Sequence, residues 1–290
     1  MVKFDPLQRL PTGDELPDSD DTPVDNELQN LVPNFLEVIL GFIWQHRDDW
    51  FFAVDMGVYH TTGSNPRIPI VPDGFLSLSV GRLKQGKSRE SYVVWEENNI
   101  VPIWVLEMVS KTYGGEYDQK LSDYAQLGVL YYTIYNPNYW RRNKHDPLEV
   151  YRLVNGVYQR QPPLSRNIGG TGGVVWMPEI GLGIGSSMGS YCGLQREWLF
   201  WYDQEGNRFP TPEEMIEQER QRADFARLQL NQQRQRAEQA ELQLNQERQR
   251  AQQQERQAIA QLLSLGLSVE QIAGALSLSV QEVMQAIDNY

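Results

Sequence analysis

Three side chains of this chain stand out by type and spacing: Asp73, Glu107 and Lys120. Asp73 follows Pro72 between two apolar runs. Glu107 is the lone carboxylate of the apolar run 101–109, and Lys120 follows Asp118 and Gln119 at the start of a helical stretch. Two carboxylates on neighbouring strands, with a lysine from the next helix, are what magnesium-dependent phosphodiester hydrolysis needs. Carboxylate oxygens hold a hard cation. The cation polarises the scissile phosphate and lowers the pKa of an attacking water, and an ammonium neutralises charge developing on the phosphorane. Each residue also has a plainer reading. Pro72-Asp73-Gly74 fits an ordinary β-turn. Glu107 in an apolar strand needs either an ion pair or a cation to offset its desolvation. Lys120 on a helix surface is commonly solvated, and Asp118 suits a helix N-terminus.

The elements that must position these groups follow from apolar periodicity. A helix is expected from Asp25 to about Gln45, with Leu28, Leu31, Val32, Phe35, Leu36, Val38, Ile39, Phe42 and Ile43 on its apolar stripe. Residues 51–59 read as one strand, and 68–78 as an extended segment interrupted by Pro69 and Pro72. A basic loop at 82–89 precedes a short strand or edge at 91–96. The run 103–109 is almost continuously apolar, as expected of a strand covered on both faces. A helix over 118–128 is closed by Gly128, and a strand over 130–135 ends at Asn136-Pro137. Segments 149–154, 156–160 and 174–177 predict an antiparallel meander with turns at Asn155-Gly156 and Gly172-Gly173. The result is an α/β (α+β) fold with a mixed sheet.

Composition divides the 290 residues into four parts. Residues 1–24 form an acidic, flexible arm, 25–205 a globular body, 211–260 a Gln/Glu/Arg-rich helical repeat and 261–290 a small helical tail. Residues 222–232 recur at 236–246, an offset of 14 residues, which is two heptads. Positions 223, 230, 237, 244, 251 and 258 then read Ala, Leu, Ala, Leu, Ala, Ala, a thin seam for a coiled coil. A long single helix is the alternative. In the tail, Ser268-Val269-Glu270-Gln271 and Ser279-Val280-Gln281-Glu282 are capping boxes opening two short helices. They resemble a helix-turn-helix, but the second helix offers Gln281, Glu282 and Gln285 without Arg or Lys, so a protein-binding module fits better.

A net charge of −12 opposes passive nucleic-acid binding. The single Cys192 excludes an internal disulfide, as in a reducing compartment. No apolar run approaches the length of a membrane span and no signal peptide is evident, so a soluble, cytoplasmic protein without membrane contact is expected. His46, His60 and His145 lack ligand-like spacing. The Gly-x-Gly-x-Gly of 181–189 lacks the context of a phosphate loop and suits a flexible turn. Two basic clusters, Arg82, Lys84, Lys87 and Arg89, and Arg141, Arg142 and Lys144, suit either a DNA backbone or plain solvation.

The order Pro72-Asp73, then 105–110 as Val-Leu-Glu-Met-Val-Ser, then Asp118-x-Lys120, Tyr124, Gly128-Val129, Tyr131-Tyr132 and Asn136-Pro137 resembles the Uma family of restriction-endonuclease-like proteins, a branch of the PD-(D/E)xK nuclease superfamily. The resemblance covers about 25–205 and is densest over 70–137. It implies a restriction-endonuclease-like mixed sheet flanked by helices, and hydrolysis of DNA by an endonuclease dependent on Mg²⁺, with Mn²⁺ as a substitute. Asp73 and Glu107 would be the metal ligands, and Asp73, Glu107 and Lys120 the catalytic set. The superfamily's lysine two residues after the glutamate is Val109 here. The resemblance places it instead on the following helix, at Lys120, with Lys111 as competitor. Glu27 or Glu37 would complete the site, with Ser110 and Tyr124 as supporting hydrogen-bonders. Dimerisation through the repeat would let two sites cut two strands. The alternative is a nuclease-like fold without cleavage, acting in binding or assembly through its C-terminal helices.

Overall fold

In the computed structural model, residues 9–17, 26–63, 65–112, 114–164 and 173–288 are described. Helix α1 (Glu27–Ile43) starts where Asn26 caps it by accepting from the Leu28 amide at 3.0 Å. Its apolar stripe is buried at Val32, Phe35, Leu36, Ile39 and Leu40. The expected single strand over 51–59 is two, β1 (Trp50–Val54) and β2 (Val58–Tyr59), because Asp55 adopts a left-handed φ of 50° between them. Of the 68–78 segment only β3 (Gly74–Leu78) is a strand. There follow β4 (Tyr92–Val93), β5 (Trp104–Met108), α2 (Gln119–Leu127), β6 (Tyr131–Tyr135), α3 (Trp140–Asn143), β7 (Leu148–Val154) and β8 (Val157–Arg160).

Six strands form one mixed sheet in the order β1-β3-β5-β6-β7-β8. Only β5 and β6 are parallel in it, joined by α2 as a crossover helix. This is the mixed α/β arrangement that the resemblance implies. The expected meander is partly different. β7 and β8 are a hairpin turned by Asn155 (φ 50°) and Gly156 (φ 81°), but β9 (Val174–Met177) leaves that sheet. It pairs instead with β10 (Leu182–Tyr191), which pairs with β11 (Leu194–Tyr202) in a second, antiparallel sheet. Gly172 of the expected Gly172-Gly173 turn lies outside the described residues. The Gly-rich segment is therefore strand, not a flexible turn. At Gly185 a Cβ would sit 2.9 Å from the Gly173 carbonyl oxygen, so close strand packing explains that glycine.

Both faces of the six-stranded sheet are covered. Alternate residues Trp104, Leu106 and Met108 pack with α1 and the second sheet, where the Trp201 indole N–H donates to the Leu36 carbonyl at 2.9 Å. Val105, Tyr132 and Ile134 face the opposite side with Tyr124 and Leu127 of α2. Glu107, two residues after Val105, shares this α2 face. Of the expected acidic arm, residues 1–8 and 18–24 lie outside the described residues. Residues 9–17 are held against the body, where the Tyr59 hydroxyl donates to the Pro17 carbonyl at 2.7 Å and the Trp95 indole to the Pro11 carbonyl at 3.0 Å.

Compact packing separates Met1–Ile216 from Glu217–Tyr290. Helix α4 (Pro212–Ser264) is exposed over nearly its whole length. Its end forms a small three-helix cluster with α5 (Val269–Leu276) and α6 (Val280–Asp288) around Ile259, Ile272, Ala273 and Val283. Ser268 and Ser279 cap the two short helices, accepting from Gln271 and Glu282 amides at 3.4 and 3.2 Å.

Candidate active site

Strands β3 and β5 pair antiparallel, with Gly74 opposite Leu106. One further step along that register sets Asp73 opposite Glu107. The Met108 amide donates to Asp73 Oδ2 at 2.6 Å, fixing the carboxylate at the strand end. Asp73 is half-buried and Glu107 is 1% exposed. Glu107 Oε2 accepts from Lys120 Nζ at 2.7 Å and Oε1 from the Tyr124 hydroxyl at 2.6 Å. Lys120 and Tyr124 are four residues apart on α2, so both reach down from one helix face.

The sequence builds this helix locally. Asp118 caps it by accepting from the Gln119 amide, and Gly128 ends it in the left-handed conformation with φ 93°. The crossover from β5 to β6 then obliges α2 to lie over β5, and the lysine arrives beside a glutamate 13 residues earlier in the chain. Lys111 is exposed on the loop after β5, and its carbonyl accepts from Arg142 Nη1 at 3.0 Å.

Electrostatics follow from the crowding of like charge. Burial first, and then the Glu107 charge, push the Asp73 carboxyl well above the usual range. The Met108 amide and Lys120 oppose this, while Asp55 adds to it. Burial likewise raises Glu107 against the pull of Lys120 and Tyr124, and Glu116 adds a further push. Burial pulls Lys120 down, but Glu107, Asp73 and Glu116 outweigh it, so its ammonium is held more firmly than usual.

Asp73 and Glu107 offer only hard oxygen donors. No hydrogen bond to Asp73 Oδ1 occurs among the described residues, and each carboxylate oxygen has a second lone pair. Mg²⁺ is commonly held by one or two carboxylates with water completing its shell, so the donor chemistry fits this ion. No group of three or more His, Cys, Asp or Glu arranged to hold a metal occurs among the described residues.

No hydrogen bond or ion pair links the other expected participants to Asp73 or Glu107 among the described residues. Glu27 is exposed in the first turn of α1, and Glu37 forms a 3.7 Å ion pair with Arg82. Neither is among the leading causes of the shifts at Asp73 and Glu107. The Ser110 hydroxyl donates to the Thr112 carbonyl at 2.6 Å. The first basic loop is largely committed internally. Arg82 lies 4.2 Å over the Trp50 ring, Lys84 pairs with Glu96, and Arg89 pairs with Glu97 at 2.8 Å with a side chain only 2% exposed. Arg141, Arg142 and Lys144 remain exposed, the first two stacked on Trp140 and Tyr139.

Two residues acting on the site had no signal in the sequence. Asp55 follows directly on β1, and its amide donates to the Asp73 carbonyl at 3.3 Å. Glu116 is buried at 3% exposure, where the Gly114 amide donates to its carboxylate. Strand register and a turn, not local composition, bring both to the site.

Residues 10–173, more than half of the chain, match the family Uma2, described as "Putative restriction endonuclease". The chain belongs to the Uma2 family. The match spans Asp73, Glu107 and Lys120, and it begins ahead of α1, taking in the segment packed on the body. No curated protein and no solved structure matches the chain.

Proposed function

We infer that this Uma2 member is a magnesium-dependent endonuclease that hydrolyses DNA phosphodiesters at Asp73, Glu107 and Lys120. One observation carries the reading. An ammonium lies 2.7 Å from a buried glutamate whose strand neighbour in register is a second carboxylate. As a structural ion pair this would be an expensive arrangement, because Asp73 leaves one negative charge in excess. Asp73 and Glu107 would hold Mg²⁺, which when bound supplies a polarised phosphate and an acidified water. Lys120 keeps its proton and presents it beside Glu107, where charge on a phosphate would develop. Tyr124 holds the other Glu107 oxygen and so fixes the carboxylate's rotation.

Asp73→Ala, Glu107→Ala and Lys120→Ala should each abolish magnesium-dependent cleavage of duplex DNA while preserving the circular dichroism spectrum. Cleavage undiminished in all three would reject the assignment.

A second reading, a nuclease-like fold without cleavage that works in assembly, draws on α4. Leu230 and Leu244 of the heptad seam are 49% and 48% exposed. In a parallel pair of such helices Arg236 would meet the partner's Glu241 position and Arg250 its Glu255, as e/g contacts do in coiled coils. Dimerisation through α4 is compatible with either reading. Calorimetric titration with magnesium separates them: saturable binding lost in Glu107→Gln supports the enzyme. No described helix is long and apolar enough to cross a membrane.

A further inference from the structure

Beyond Asp73, Glu107 and Lys120, the α2 face of the sheet carries a second organised polar group. Ile134 is paired with Glu107 on one side and with Glu149 on the other, so the two glutamates stand in one row, two strands apart. That is about 10 Å, with both side chains on the same face. Glu149 is 2% exposed and accepts from the Asp146 amide at 3.0 Å and from the Tyr151 hydroxyl. His145 Nδ1 lies 3.2 Å from Glu149 Oε1, and the His145 side chain is 35% exposed. Its ring stacks on Tyr117 at 3.6 Å and 6°. The Tyr117 hydroxyl in turn accepts from Asn136 Nδ2 at 3.1 Å. Tyr117 lies three residues before Lys120, so the imidazole is anchored to the loop that leads into the proposed catalytic helix.

A buried carboxylate on one ring nitrogen and a flat stack on one ring face fix the orientation of a histidine. Here they leave Nε2 without a partner among the described residues. The neighbourhood is basic. Arg141, Arg142 and Lys144 are exposed just ahead of His145, and Arg142 ties α3 to the loop after β5 by its bond to the Lys111 carbonyl. Arg160 lies 3.7 Å from Glu149, sharing its charge.

We propose that His145 is a phosphate-contacting residue for the nucleic-acid strand that enters the Glu107 site, with Glu149 and Tyr117 as its positioning residues. This rests on the nuclease reading above. With a proton on each ring nitrogen, Nδ1–H donates to Glu149 while Nε2–H donates to a phosphate oxygen, a charge-assisted contact. The contact is made two strands from the reacting centre, so it serves binding rather than bond breaking.

The test is the salt dependence of binding to a short random-sequence DNA duplex by the full chain in chelator. His145→Ala should weaken affinity roughly tenfold and reduce the slope of log affinity against log salt by about 0.9, the value of one phosphate contact. His145→Lys should restore the slope, which no purely structural role for the imidazole would do. Glu149→Gln should reproduce part of the loss with His145 still present. In cleavage assays His145→Ala should lower kcat/KM with kcat retained, whereas Lys120→Ala loses kcat. An unchanged slope in His145→Ala, with the wild type binding and the variant's melting temperature preserved, overturns the proposal and leaves the nuclease assignment standing. Failure of the wild type to bind duplex DNA overturns both.

Discussion

Replacing Asp73 with Asn should make the metal-free protein more stable and the metal-loaded protein less stable than wild type. The amide keeps an oxygen for the Met108 N–H and nearly the same volume. It removes the repulsion between Asp73 and Glu107, which lie one residue beyond the Gly74–Leu106 pair of β3 and β5. At the roughly 5 Å spacing of directly opposed side chains and an effective dielectric constant of about 20, that repulsion is about 3 kcal/mol. Relief of partial desolvation adds about 2 kcal/mol. Lost attraction to Lys120 and a weaker bond from Met108 take back about 3 kcal/mol. The net gain is about 2 kcal/mol, or a rise in Tm of about 5 °C in chelator. Magnesium at about a hundred times its Kd would stabilise the wild type by about 2.7 kcal/mol and the variant far less, reversing the order. The pH dependence has a definite sign. Asp73 titrates above its unfolded value of 3.8, so its charge destabilises the fold increasingly as pH rises from there through the folded pKa. The advantage of the variant should thus be largest near neutrality and vanish in acid. Thermal melts across pH, with and without magnesium, read all of this. A variant less stable than wild type in chelator at neutral pH, or equally stabilised by magnesium, would refute the like-charge site.

Tyr124→Phe removes the hydroxyl that donates to Glu107 at 2.6 Å and should destabilise by about 1–3 kcal/mol in urea titrations; it should also slow kcat more than it raises KM. Gly128→Ala should cost about 1 kcal/mol, through backbone conformation alone. Its φ is 93° and an added Cβ meets nothing within 4 Å, so Gly128→Asn should cost less than alanine. Burial lowers the pKa of His60 below its usual 6.5, the Asp123 charge opposing, so the unfolded chain takes up a proton that the folded one resists. Stability should fall as pH drops below that value, and His60→Gln should flatten the curve. If α4 pairs through its seam, Leu230→Glu with Leu244→Glu should shift sedimentation from dimer to monomer, and an unchanged sedimentation coefficient would reject that seam.

Much of this protein is written locally. The apolar run 103–109 reads as a buried strand, and a carboxylate inside it must find partners, so Glu107 stands out from the sequence alone. Asp118 and Gly128 mark the ends of α2 because capping chemistry depends on neighbours in sequence. The change in composition near residue 211 separates the long helix from the body for the same reason.

Other features depend on pairing between distant segments. The sequence favours Lys120 and keeps Lys111 as a competitor; the parallel β5–α2–β6 crossover puts the Lys120 ammonium on Glu107, while Lys111 stays exposed on the loop after β5. Alternation within strands could not show that β9 leaves the main sheet, since its inward residues serve either sheet equally well. The loop at 82–89 reads as a free basic surface, but Glu37, Glu96 and Glu97 come from elsewhere to engage most of it. Asp55 and Glu149 join the row of Asp73 and Glu107 through strand register alone. Local chemistry named the residues that needed partners, and only the tertiary structure decided which partners arrive, because register and crossover are properties of the assembled sheet.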